Sequence, residues 1–134
     1  MANAIYPKYK EVILQSAANS DMSAGTVKVA LVDTGVYTYN AADQFYSSIS
    51  SAVVGTPQTL GTKVFTNGVF DAADSTFTSV SGSTVEALVI YIDTGVAGTS
   101  RLIAYLDTSI TGLPVTPNGG NILVTWNASG IFAL

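Results

Sequence analysis

Two runs of aliphatic and β-branched residues end in the same tripeptide. Leu31-Val32 leads into Asp33-Thr34-Gly35, Tyr91-Ile92 leads into Asp93-Thr94-Gly95, and Tyr105-Leu106-Asp107-Thr108-Ser109 is a weaker copy. An apolar run of this length closed by a turn signal suits a buried strand and little else. The turn chemistry follows from the residue types. An Asp carboxylate at a strand end accepts backbone N–H groups, Thr keeps extended geometry, and Gly takes a positive φ.

The rest of the chain repeats the pattern. Thr26 to Asp33 and Thr84 to Asp93 are the two densest strands, the second predicted to be central and buried. Val36 to Tyr39 either continues or bends the first. Lys63 to Thr66 and Val69-Phe70 flank Asn67-Gly68, the dipeptide of a type I′ hairpin turn. Asp74 to Val80, Leu102 to Asp107, Asn121 to Trp126 and Gly130 to Leu134 complete the set, with Ser81-Gly82-Ser83 as a turn and 112–120 as one extended loop. Residues 1–20 read as the one helical segment: Pro7 suits a first turn, and Ile5, Tyr9, Val12 and Ile13 recur at helical spacing. Asp43 to Ser50 could form a second short helix, with Phe45, Tyr46 and Ile49 on one side. Strands that do not alternate with helices disfavour a doubly wound sheet. The predicted fold is mainly β, an antiparallel β-sandwich or jelly roll with one short N-terminal helix, in a single domain over 1–134.

Composition narrows the chemistry. The chain has no His and no Cys, which removes the commonest acid–base, nucleophilic and metal-binding side chains. Only 10% of residues are charged, against about 25% in soluble domains generally. Its surface must therefore be built mostly from Ser, Thr, Asn and Gly, which suits a protein packed against neighbours. The basic residues Lys8, Lys10, Lys28, Lys63 and Arg101 are scattered, and the net charge is −4, so no nucleic-acid partner is expected. No apolar run reaches the roughly 20 residues of a membrane span, and the start lacks the pattern of a secretory signal. After Arg101 the only charged side chain is Asp107, and the chain closes on Ile131-Phe132-Ala133-Leu134. That apolar end is expected to dock, in the core or on another subunit.

Hydrophobic-Asp-Thr-Gly resembles the active-site signature of aspartic proteases, in which two carboxylates share a proton and activate water. The copies lie 60 positions apart, too close for two lobes, and Val36 and Val96 stand where that family has Ala or Ser. Turns at strand ends account for all three copies without catalysis. Asp71 and Asp74 fall short of a calcium site's six to eight oxygens. Asn127-Ala128-Ser129 matches a glycosylation sequon, and Trp126 reads as core. No catalytic, cofactor or metal residue is predicted, and no small-molecule substrate. Tyr is enriched at interfaces, so Tyr6, Tyr9, Tyr37 and Tyr39, with Ile131, Phe132 and Leu134, are the candidate interface residues.

Four segments carry a resemblance. They are the opening Met1 to Lys10, Gly25 to Thr34, Asn67 to Asp74 and Thr111 to Gly120. Together they resemble a group of small virion structural proteins of tailed bacteriophages, and the likeness extends over nearly the whole chain. The segments are turn and packing motifs rather than chemistry. The resemblance implies a structural virion protein, and by analogy of size and fold a capsid cement or decoration protein. Its partner would be the major capsid protein, its location the capsid surface after synthesis in the bacterial cytoplasm. It would be a homo-oligomer, dimer or trimer, with neither membrane nor nucleic acid as partner. The alternatives are a head–tail joining or tail protein, a glycan-binding adhesion module, and an aspartic-protease-like enzyme.

Overall fold

The computed structural model describes residues 3–134. The chain is mainly β, built from antiparallel sheets with one short helix near the N-terminus, as the strand pattern predicts. Strand β1 (Ala4–Ile5) leads into helix α1 (Pro7–Leu14), then β2 (Thr26–Val32), β3 (Val53–Thr59), β4 (Val64–Thr66) and β5 (Val69–Asp71). These are followed by β6 (Ser75–Phe77), β7 (Ala87–Asp93), β8 (Leu102–Leu106), β9 (Ile122–Val124) and β10 (Phe132–Ala133). A five-stranded sheet runs in the order β1-β8-β7-β2-β3; β10-β5-β4 and β6-β9 form two smaller sheets.

Strand β7 lies at the centre of the large sheet, and every residue from Ala87 to Ile92 is buried. Side chains alternate between faces along a strand, so both faces must be covered. The register puts Val29, Leu31, Leu88, Ile90, Ala104 and Leu106 on one face. Helix α1 and β10 lie on that side: Ile13 and Ala17 approach Ile92, and Ile131 and Phe132 approach Ala104 and Leu106. The opposite face carries Ala30, Val89, Tyr91 and Tyr105. Residues 33–52 cover it with aromatic rings. Tyr39 meets Tyr105 at 5.3 Å between centroids, and Tyr46 meets Tyr91 at 4.6 Å.

The helix is shorter than the expected segment 1–20, of which Met1 and Ala2 lie outside the described residues. The residue before a proline is pushed toward extended backbone, and Tyr6 has φ −59° and ψ 124°. Ala4–Ile5 therefore pairs with β8 instead of extending the helix. At the other end Ser16 and Asn19 adopt positive φ, and Asp21 Oδ1 accepts from the Ser23 and Ala24 N–H groups. The helix expected over Asp43 to Ser50 is replaced by two single 3-10 turns, Tyr46–Ser48 and Ser50–Ala52, which seat Ile49 in the core. Val36 to Tyr39 does not continue β2. The Asp33 carbonyl accepts from the Val36 and Tyr37 N–H groups and turns the chain.

The hairpin forms as predicted, with positive φ at both Asn67 and Gly68. Strand β3 goes unannounced by its sequence, because Gly55 and Pro57 interrupt it. Both suit an edge position: Gly55 has φ +69°, and the pairing with β2 shifts register there. Gly130 is also required by space, since a Cβ there would collide with Val69 Cγ1.

Candidate functional site

The Asp-Thr-Gly turns come first, because they are the motif with catalytic potential. Asp33 Oδ1 accepts the Gly35 N–H at 2.8 Å, and Asp93 Oδ1 accepts the Gly95 N–H at 3.0 Å. In both the Asp accepts the N–H two residues on, as the residue types predict, but only Gly95 takes the expected positive φ (+85°); Gly35 does not. In the β2–β7 ladder Thr26 pairs with Asp93, whereas Val32 pairs with Ala87. Asp33 and Asp93 therefore sit at opposite ends of the sheet, roughly 20 Å apart at about 3.3 Å per residue. A shared-proton dyad needs the carboxylates in contact, so Asp33 and Asp93 of one chain do not form such a dyad with each other.

The other polar candidates are also engaged locally. Asp71 Oδ1 accepts the Ala72 N–H, and Asp74 Oδ1 accepts the Trp126 N–H at 3.0 Å. Trp126 is buried and donates its indole N–H to the Ala73 carbonyl. Asn127 Oδ1 accepts the Ser129 N–H. Among the described residues no group of three or more His, Cys, Asp or Glu is placed to hold a metal, and no helix is long and apolar enough to cross a membrane.

The candidate interface residues divide. Tyr6, at 0% exposure, and Tyr9 and Tyr37 lie in the core and cannot meet a partner. The expectation that they form an interface is corrected accordingly. Their hydroxyls are used internally: Tyr9 donates to the Ser20 carbonyl, and Tyr37 donates to Asp43 Oδ2. Burial pushes all three phenols up, Tyr9 and Tyr37 to about 12. Tyr39 is half-buried against Tyr6 and Tyr105. Ile131 and Phe132 are half-buried and packed on the core, while Leu134 is 65% exposed.

Leu134 does not stand alone. It shares a shallow groove of about 330 Å³ with Ile13, Leu14 and Ala133. Leu14 is 87% exposed, the last residue of α1. Beside it runs a row of rings across the small sheet. Phe65 on β4 opposes Phe70 on β5, which opposes Phe132 on β10, with centroid spacings of 5.4 and 5.3 Å. Phe65 ends the row and is 48% exposed on the free-edge strand. Exposed apolar side chains thus occur at the end of α1 (Leu14), just after β10 (Leu134) and on β4 (Phe65), with Phe70 buried and Phe132 half-buried between them and Lys10 the charged group that lines the groove. Sequence spacing had a signal for Leu14. Tyr9, Val12 and Ile13 define the stripe that faces the sheet, and Leu14 falls beyond it. Phe65 had none, since alternation across a short hairpin does not say which face is covered.

No protein-family model matches the chain, and no curated protein matches it.

Proposed function

We propose that this chain is a structural virion protein of a tailed bacteriophage, a capsid cement or decoration protein that bridges neighbouring major capsid subunits. The observation that carries the proposal is the set of exposed apolar side chains Leu14, Leu134 and Phe65, with Lys10 the one charge lining the groove, on a surface with few charges anywhere. Clustered exposed aliphatic and aromatic groups mark an interaction surface. A bridge between shell subunits needs broad uncharged contacts, no reactive thiol and tolerance of close-packed copies. The absence of Cys and the paucity of charge support that role.

Such a protein binds assembled shells far better than isolated capsid subunits, because its site spans two or more neighbours and joint engagement raises the effective affinity. Binding depends little on salt, since few charges are present for ions to screen. The test mixes purified protein with expanded shells and follows co-sedimentation from low to high NaCl. Stoichiometric, salt-resistant binding that Leu14→Lys weakens supports the proposal. Failure to bind shells at any salt, with recovery at the joining region or tail instead, transfers the assignment there.

A further inference from the structure

A second feature lies on the opposite face of the large sheet, away from these apolar side chains. Lys28 on β2 pairs directly with Tyr91 on β7, and both face a cleft of about 350 Å³. Small-molecule sites begin at roughly 300 Å³. Tyr46 forms one wall, the loop from Gly95 to Ser100 another, and Thr56 and Pro57 on β3 the rim. The walls are tied together: the Ser100 carbonyl accepts the Tyr46 N–H at 2.8 Å, and Ser100 Oγ accepts the Thr94 N–H.

The polar groups in the cleft are fixed before any ligand arrives. Lys28 Nζ lies 2.8 Å from Asp93 Oδ2, and Asp93 Oδ1 is held by the Gly95 N–H. Both side chains keep about a quarter of their surface exposed. Tyr91 is only 4% exposed, and its ring packs on Tyr46. Its hydroxyl has no hydrogen-bond partner among the described residues. No side-chain oxygen that is fully shut from solvent lacks a partner there, so the Tyr91 Oη reaches the cleft. A deeply buried ring that presents its hydroxyl to a solvent-open cleft offers a fixed donor and acceptor to a polar ligand.

We propose that this cleft binds a neutral pyranose sugar. The Lys28–Asp93 pair has no net charge, so it favours neither anion nor cation. It sets a donor beside an acceptor, which matches two adjacent hydroxyls: one accepts from Nζ and its neighbour donates to the carboxylate. Tyr91 Oη reaches a third. The Tyr46 ring and Pro57 supply apolar surface for the C–H face of the sugar. A phosphate would meet Asp93, an amine would meet Lys28, and a hydrocarbon would strip water from all three polar groups. The site does not depend on the capsid proposal and can stand or fall separately.

The experiment is an amide-detected NMR titration of the full chain with methyl glucoside, methyl galactoside and N-acetylglucosamine. Inorganic phosphate serves as the charged control. At least one sugar is expected to give saturable shifts confined to the amides of Lys28, Thr56, Tyr91 and Gly95, with phosphate giving none. Tyr91→Phe, which keeps the ring, is expected to weaken binding about fivefold, the loss of one neutral hydrogen bond. Lys28→Gln on the cleft's edge supplies an independent second variant and is expected to weaken it as well. The proposal is overturned if none of the three sugars gives saturable shifts at these residues, or if both variants bind as the parent chain does.

Discussion

The hydroxyls of Tyr6 and Tyr37 lie 2.9 Å apart, joining the first strand–helix corner to the loop that covers the large sheet. Tyr37 has one hydroxyl hydrogen, and it goes to Asp43. Tyr6 must therefore be the donor to Tyr37, giving a one-way relay from Tyr6 to Tyr37 to Asp43.

The relay predicts unequal costs for two similar substitutions. Tyr6→Phe removes one bond but leaves Tyr37 paired with Asp43, a loss of about 1 kcal/mol. Tyr37→Phe removes both bonds and strands the Tyr6 hydroxyl in the core, a loss of about 2 to 3 kcal/mol. Urea denaturation measures both. Equal losses, or the reverse order, would contradict the relay.

Alkaline stability follows from the same tyrosines. Their folded pKa values are raised, so the unfolded chain releases these protons first, near pH 10. The stability they contribute is complete below about pH 10. It is lost as pH climbs toward the folded value of about 12 for Tyr9 and Tyr37. Tyrosinate absorbance and circular dichroism should change together in this interval. Tyrosines that ionise near pH 10 with the fold intact would show that they are not buried.

On the acid side the sign reverses. The Lys28 ammonium, followed by the Gly95 N–H, holds the Asp93 carboxyl below the usual carboxylate range. Its contribution is present above the unfolded value near 3.9 and disappears as pH falls through the lower folded value. Asp93→Asn should cost about 1 kcal/mol at neutral pH. The gap to the parent chain should narrow steadily below about pH 4. A gap independent of pH would mean the ion pair contributes nothing. Neither Asp93→Asn nor Asp33→Asn should alter digestion of a peptide library at acid pH, and cleavage lost in either variant would show catalysis.

Leu88 and Ile90 share the face of β7 that meets α1 and β10, and both are fully buried. Replacing either with Ala should cost about 2 to 5 kcal/mol through the cavity left behind. A loss under about 1 kcal/mol for both would remove β7 from the centre of the core.

Much of this fold could be read from pattern alone, wherever one local rule acts without competition. The Asn67-Gly68 hairpin and the strand through Leu88 and Ile90 are such places. Strand β3 was hidden because Gly55 and Pro57 are turn residues that an edge strand with a bulge also tolerates. The tyrosines misled for a different reason. A phenol suits an interface or a core equally well, and only the topology, which folds residues 33–52 onto β7 and β8, decides for Tyr6 and Tyr37. The Lys28–Tyr91 cleft depends on cross-strand register between residues 63 positions apart, which no local pattern encodes.

If Leu14 and Leu134 also join copies of the chain, purified protein should form a dimer or trimer with closed symmetry. Sedimentation at rising concentration would detect it, and Leu14→Lys should shift the chain toward monomer. A parent chain that stays monomeric at high micromolar concentration would leave contacts with the shell as the only use of these side chains.

A reconstruction of the native particle would show where in the virion the chain sits. Density for the five-stranded sheet is expected on the outer shell, between neighbouring capsid subunits, with Leu14, Leu134 and Phe65 turned toward them. Density for the chain at the joining region or tail, or none anywhere in the particle, would contradict the proposed function.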